Sequence, residues 1–241
     1  MTEDKPRLVS CYFGGSSDWE RLARVLELGA RRHCAGWDID LRRIEAPPPT
    51  HSLSANKNGN THKLDWWTDQ VEAAENGTRI LLIDTDTMIL GPLDEAWSED
   101  FDFGYTTKGG RFPFNAGVIF VRVSRRVKSF MRTWCAENRR MFEDSAYHLP
   151  WYRRFGGLNQ AALGKMLTED VNVKMGVKLA TLPCSTWNCE DASWESFGDH
   201  TRIVHIKSGL RLAALATGDG SLKLMPLVRI WRALEREAQA Q

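Results

Sequence analysis

The run Arg79-Ile80-Leu81-Leu82-Ile83-Asp84-Thr85-Asp86-Thr87-Met88-Ile89-Leu90 joins an apolar strand to a pair of carboxylates. From Ile80 to Ile83 no polar residue alternates with the aliphatic ones, and a short strand of that kind is covered on both faces, as in a parallel sheet. In extended chain, residues i and i+2 point to the same side, so Asp84 and Asp86 are expected to converge on one cation. A hard divalent ion takes oxygen ligands, and open α/β sheets place their ligands at the carboxyl ends of strands, where these two residues fall. A bare Asp-x-Asp is equally compatible with an acidic turn that binds nothing.

Upstream, Arg7–Phe13 reads as a strand, followed by Gly14-Gly15-Ser16-Ser17-Asp18, a strand-to-helix turn where a nucleotide could sit. Leu22, Val25, Leu26 and Ala30 recur at helical spacing between Trp19 and about Cys34, and Trp37–Ile44 reads as a second strand, giving a βαβ opening. Ala46–Asn60 is rich in Pro, Asn and Ser and is expected to be a long loop, either a lid or a plain surface excursion. A helix over Thr61–Asn76 then leads into the Arg79 strand. Further on come strands near Phe101–Tyr105 and over Ala116–Arg122, with the loop Thr106–Asn115 between them, and a helix from Ser124 to about Phe142. Another helix starts near Gly157, strands lie around Val177–Leu182 and Arg202–Ile206, and an amphipathic helix near Lys223–Ala238 closes the chain. Strands alternating with helices make the class α/β.

The length of 241 residues suits one core, and the whole of 1–241 is expected to form a single domain. With 42% hydrophobic and 26% charged residues, the composition excludes disordered, collagenous and membrane-embedded classes. Thirty-two basic side chains against 31 acidic ones leave a formal charge of +1, so no global field draws the chain to nucleic acid or anionic lipid. Five cysteines, an odd count without a C-x-x-C pair, fit neither a disulfide framework nor a zinc knuckle. There is no basic segment followed by an apolar one at the N-terminus and no apolar run of about 18 residues, so the expected location is cytoplasmic.

Several further segments stand in a fixed order: Lys63-Leu64-Asp65-Trp66-Trp67, Asp84-Thr85-Asp86-Thr87, Phe114-Asn115-Ala116-Gly117-Val118, Gly156-Gly157-Leu158-Asn159-Gln160, Leu182-Pro183 with Trp187-Asn188, and Val204-His205-Ile206. Together they resemble glycogenin and related retaining, nucleotide-sugar-dependent glycosyltransferases, over roughly Leu8 to Arg211. The resemblance implies a GT-A (Rossmann-like) mixed, mostly parallel sheet flanked by helices. It implies that Asp84, Asp86 and His205 hold a divalent cation, Mn²⁺ or Mg²⁺, against the phosphates of a donor such as UDP-glucose or UDP-galactose. A cation there stabilises the charge that builds on the departing diphosphate. By the same resemblance Lys63, Asp84, Asn115 and Gly117 serve the donor, Lys207 and Arg211 are candidates for its diphosphate, and Asn159 and Gln160 take the catalytic position.

One departure matters. The family places an aspartate where Asn159 stands, with Leu158 inserted before it, and asparagine cannot act as a carboxylate nucleophile or base. Double displacement through that residue is thereby excluded, and front-side retention with Gln160 or Asn159 beside the sugar is the expectation. Inversion would need a base among Glu143, Asp144, Glu190 and Asp191. The acceptor stays open between a glycan, a lipid-linked sugar and the modified bases of phage DNA. Trp151, Tyr152, Trp187 and Trp194 offer stacking faces in irregular segments, with core packing as the alternative. The helix from Ser124 carries Arg125, Arg126, Lys128, Arg132, Arg139 and Arg140, a basic face for phosphates or an ordinary solvated one. A noncatalytic sugar-nucleotide-binding protein and a nucleotidyltransferase are the rival classes, the latter lacking its glycine-rich phosphate loop.

Overall fold

A computed structural model of the chain describes residues 5–14, 17–45, 55–216 and 224–240. Strands β1 (Arg7–Phe13), β2 (Asp38–Ile44), β3 (Arg79–Ile83), β5 (Phe103–Thr107), β6 (Phe114–Arg122) and β7 (Leu179–Pro183) form a six-stranded sheet in the order β2-β1-β3-β6-β5-β7. The β2-β1-β3 and β5-β7 pairings are parallel; only β6 runs against its neighbours β3 and β5. The expected mixed, mostly parallel sheet is therefore present. A second, two-stranded sheet pairs β4 (Thr87–Ile89) with β8 (Ile203–His205).

Successive residues of each central strand serve opposite cores, which is why the aliphatic run of β3 has no polar partner positions. Ile80, Leu82, Ile119 and Val121 pack with Leu64 and Trp67 of α2 (Ala55–Ala73) and with Val127, Phe130 and Trp134 of α3 (Arg125–Glu143). Leu81, Ile83, Val118 and Phe120 face Leu26 and Ala30 of α1 (Ser17–His33) together with Trp97 and Trp187. A third cluster joins α1 to β4, β8, α8 (Ser208–Leu215) and α9 (Met225–Ala240) through Val25, Met88, Val204, Leu210 and Trp231. Fully burying side chains of this size contributes about 1.5–3 kcal/mol each.

Several expectations need correction. Residues 55–60, read as loop, begin α2; the remaining loop residues 46–54 lie outside those described, as do Gly15 and Ser16 of the first turn. Asparagines and glycine weaken the helical signal there, and packing against β1 overrides it, with Gly59 lying against the Phe13 ring. Residues 145–155 form α4 (Ser145–Phe155), capped by Asp144, whose carboxylate accepts from the Ala146 and Tyr147 amides. Pro150 inside that helix masks it in the sequence. Trp151 and Tyr152 are thus helical, not irregular. Trp187 lies in the core edge-on to Phe120 rather than offering an open stacking face.

Candidate functional site

Two ladder registers assemble the cluster of ionisable groups at the carboxyl end of β3. In the β3–β6 pairing Ile83 stands opposite Val118, and the next step gives a backbone bond from the Asp84 amide to the Gly117 carbonyl at 2.8 Å. In the β4–β8 pairing Thr87 stands opposite His205, and the Ile206 amide donates to the Asp86 carbonyl at 2.7 Å. Asp84, Thr85 and Asp86 therefore occupy a bend between β3 and β4, not the extended chain expected from their spacing. They converge all the same because His205 arrives from a separate strand: one ligand atom from each of Asp84, Asp86 and His205 lies within 4.8 Å of the others.

Gly117 is required by this convergence. A Cβ there would sit 2.5 Å from Asp84 Oδ2 and 2.5 Å from His205 Cε1, so any side chain would push the ligand atoms apart. The turn that leads into the helix starting at Asn159 depends on Gly156 and Gly157, which adopt φ of 72° and 58°. The His148 ring bonds to the Gly157 carbonyl at 2.9 Å.

Burial first, then Lys207, depresses the imidazole pKa of His205 from 6.5 to about 3, so the ring is neutral at physiological pH. Its Nδ1 lies 2.9 Å from Asn188 Oδ1. Its Nε2 is buried, stands 3.2 Å from Asp86 Oδ1 and 3.7 Å from Asp84 Oδ2, and has no hydrogen-bond partner among the described residues. Burial pushes the Asp84 carboxyl up, but the ammonium of Lys63, by its charge and its hydrogen bond, outweighs it and holds the group below its usual range. Two carboxylates around a neutral imidazole with a bare nitrogen suit a divalent cation.

The basic residues stand around this cluster. Lys63 pairs with Asp84 Oδ1 and lies 4.6 Å from the Trp67 ring centroid; Arg211 pairs with Asp86 and lies 5.3 Å from the Trp19 ring. Lys207 is 3.6 Å from Glu190, a buried carboxylate that also pairs with Lys108. Lys108 and Glu190 are an ion pair at the site that sequence reasoning did not join; nothing in a lone lysine of a glycine loop signals it. Asn115 accepts from the Gly117 amide at 2.7 Å and from Asn188 at 3.1 Å. Asn159 is buried and donates to the Asn60 carbonyl at 2.9 Å, which ties the start of α5 (Asn159–Thr168) to α2. Gln160 reaches toward β6, accepting from the Ala116 amide at 3.4 Å and donating to the Phe155 carbonyl.

Other candidates have different surroundings. Asp144 is occupied as a helix cap, and Asp191 accepts from the Ala192 amide. The basic face of α3 is committed to neighbours: Lys128 donates to the Glu72 and Ala74 carbonyls at the end of α2, Arg132 pairs with Glu72, and Arg139 with Asp65. Arg140 lies over the Tyr147 ring. Burial pushes the thiols of Cys11, Cys34 and Cys135 up to about 12 and those of Cys184 and Cys189 up to about 11, so none is a thiolate nucleophile at neutral pH. All five cysteines are free. Among the described residues no helix is long and apolar enough to cross a membrane.

Comparison with known proteins agrees with this architecture. A glycosyltransferase involved in the glycosylation of the major capsid of PBCV-1 superposes with a TM-score of 0.59 at 14% identity, over 86% of this chain and 96% of that one. The glycosyltransferase GlyE of Streptococcus pneumoniae TIGR4 gives 0.59 at 12% identity, over 99% of this chain and 64% of its own. The galactosyltransferase LgtC, solved with donor and acceptor sugar analogues, gives 0.52 at 12%, over 96% of this chain and 95% of that one. At such identities the likeness is one of fold, the GT-A fold. No curated protein matches the sequence. Residues 70–210, more than half of the chain and the part that holds Asp84, Asp86 and His205, match the nucleotide-diphospho-sugar transferase family. The chain belongs to that family, and it is a glycosyltransferase of GT-A fold that draws on a nucleotide-sugar donor.

Proposed function

We propose that the protein is a metal-dependent hexosyltransferase, working as a single domain, that takes its sugar from a UDP-hexose and transfers it to an acceptor hydroxyl with retention of configuration. The observation that carries the reading is the bare, fully buried Nε2 of His205 beside Asp84 and Asp86. A buried polar atom without a partner costs about 1–3 kcal/mol, a cost that a ligand at this position removes. A divalent cation held by these three residues supplies Lewis-acid stabilisation of the diphosphate leaving group.

The remaining work falls to the chain. Lys63 and Arg211, paired with Asp84 and Asp86, are positioned to turn to the phosphates, since both are long side chains with an anion partner they can exchange. Lys207 sits beside them, restrained by Glu190. Gln160, held against β6 through the Ala116 amide, presents an amide rather than a carboxylate on the sugar side. No group in the catalytic position can form a covalent glycosyl ester, so the bond from the anomeric carbon to the diphosphate oxygen breaks as the acceptor oxygen approaches from the same face. The acceptor proton passes to the departing phosphate oxygen.

The test is hydrolysis and transfer with a panel of UDP-, GDP-, CMP- and dTDP-hexoses, with Mn²⁺ or with chelator. The reading predicts nucleoside diphosphate release from one UDP-hexose, dependent on Mn²⁺, and ¹H NMR of the first sugar released shows the anomer of the donor. Metal-independent release, or the opposite anomer, would overturn the respective part.

A further inference from the structure

The site contains a chain of side-chain amides whose orientation is set by backbone groups and which ends on His205. The β5–β6 register slips between Tyr105 and Thr106, from Tyr105 opposite Ile119 to Thr106 opposite Asn115, so residues 116–118 leave the β5 ladder. Two backbone groups of this arch anchor the amide chain. The Gly117 amide, which can only donate, bonds Asn115 Oδ1 at 2.7 Å, so the oxygen of that side chain faces it. The Asn115 carbonyl, which can only accept, takes the Thr106 hydroxyl proton at 3.0 Å, leaving the lone pairs of Thr106 Oγ1 for another donor.

Asn188, fully buried, sits against both of these acceptors: one end lies 2.8 Å from Thr106 Oγ1 and 3.1 Å from Asn115 Oδ1. That end must be the NH₂ group. The opposite end, 2.9 Å from His205 Nδ1, is then the oxygen, which can only accept. The proton of the neutral ring is therefore on Nδ1, and the lone pair is on Nε2, which faces Asp84 and Asp86.

We propose that Asn188, oriented by Asn115 and Thr106, is the positioning residue that fixes His205 in its Nδ1–H tautomer and so keeps Nε2 available as a ligand. The inference rests on the metal-site reading for its purpose, though the tautomer itself does not. Without Asn188 the alternative tautomer is favoured: an Nδ1–H would be buried with no acceptor, while an Nε2–H would have carboxylate oxygens at 3.2 and 3.7 Å. Asn115 accordingly acts through its oxygen on this relay, a role separate from any contact with sugar.

The experiment is long-range ¹H–¹⁵N NMR of the metal-free protein with ¹⁵N-labelled histidine at pH 7, the ring being assigned by loss of its signals in His205→Gln. The unsubstituted protein is expected to show a protonated Nδ1 and a bare Nε2; a protonated Nε2 would overturn the proposal without any variant. Asn188→Leu is expected to move the proton to Nε2 and to weaken Mn²⁺ binding about 10–100-fold, the usual scale for loss of a partner behind a metal ligand. Retention of Nδ1–H in Asn188→Leu would overturn the relay. Should Asn188→Leu not fold, Thr106→Val takes its place, and mixed tautomers are expected once one of the two anchors is gone; an unchanged Nδ1–H would count against the relay. An Nδ1–H ring in a protein to which Mn²⁺ does not bind would defeat the metal reading and leave the relay standing, so the two failures are distinguishable.

Discussion

Two charged clusters lie on opposite sides of α2, and they are built differently. Along the α2–α3 groove, a cavity of about 300 Å³ is lined by Asp65, Asp69, Arg132 and Arg139, with Thr68 and Cys135. There Arg132 and Arg139 are 57% and 61% exposed and each meets an acid on α2. At the end of β3, His205 is fully buried, Asp86 is 7% exposed, and three ligand atoms converge around a nitrogen that has no partner. In the first cluster each arginine pairs with a carboxylate of α2 across exposed helix faces, whereas the second gathers its groups around one fully buried imidazole. Charge is common to both and does not by itself mark a binding site; the convergence of three metal-ligating side chains within 4.8 Å of one another sets the second apart.

The largest effect that would sharpen this contrast is on turnover. Asp86→Ala is expected to lower Mn²⁺-dependent release of nucleoside diphosphate by about 10³-fold, several kcal/mol of leaving-group stabilisation, while circular dichroism shows the fold retained. Arg139→Gln, in the other cluster, is expected to leave turnover unchanged. An equal loss in both variants would erase the distinction.

Gly117→Ala comes next. The added methyl meets Asp84 Oδ2 and His205 Cε1 at 2.5 Å, and overpacking of this kind costs about 1–3 kcal/mol, read as a lower midpoint in urea. Mn²⁺ affinity should fall with it, because the atoms displaced are the ligands.

A smaller effect separates the clusters by pH. In the unfolded chain a histidine takes up a proton near pH 6.5, whereas His205 in the folded, metal-free protein does so only near 3. Between those values the unfolded state binds more protons, so stability falls as pH drops through the window, by up to about 1.4 kcal/mol per unit. Urea unfolding at pH 7, 6, 5 and 4 should show this slope, and His205→Gln should lack that part of it. The smallest effect belongs to the exposed pairs: Arg132→Gln should change stability by no more than about 1 kcal/mol, and added salt should mask even that.

Much of the fold was legible because its elements follow strict periods. Arg79–Ile83 and Arg7–Phe13 are strands over the very residues whose aliphatic character announces them, and Leu22, Val25, Leu26 and Ala30, which recur at helical spacing, are buried along α1. Elements that periodicity does not carry were missed: α4, interrupted by Pro150; the first turn of α2, written in Asn and Gly; and β4, three residues long and defined by its pairing with β8. The candidate ligands were legible as an ordered set of motifs, yet the spacing argument for Asp84 and Asp86 assumed extended chain where there is a bend. Their convergence depends on the β3–β6 and β4–β8 registers, which are long-range properties. The partners were least legible. That Arg211 would lie on Asp86, Lys207 on Glu190 and Asn188 behind His205 is a matter of side-chain reach across the folded sheet, for which no local pattern exists.

The proposed function requires Asp84, Asp86 and His205 to hold one divalent cation between them. An electron paramagnetic resonance titration of the protein with Mn²⁺ tests this, because bound ion loses the sharp six-line signal of the free ion. One tightly bound Mn²⁺ per chain is expected in the unsubstituted protein and in Arg139→Gln, and none in Asp86→Ala. Stoichiometric binding that survives in Asp86→Ala would place the ion elsewhere and contradict it.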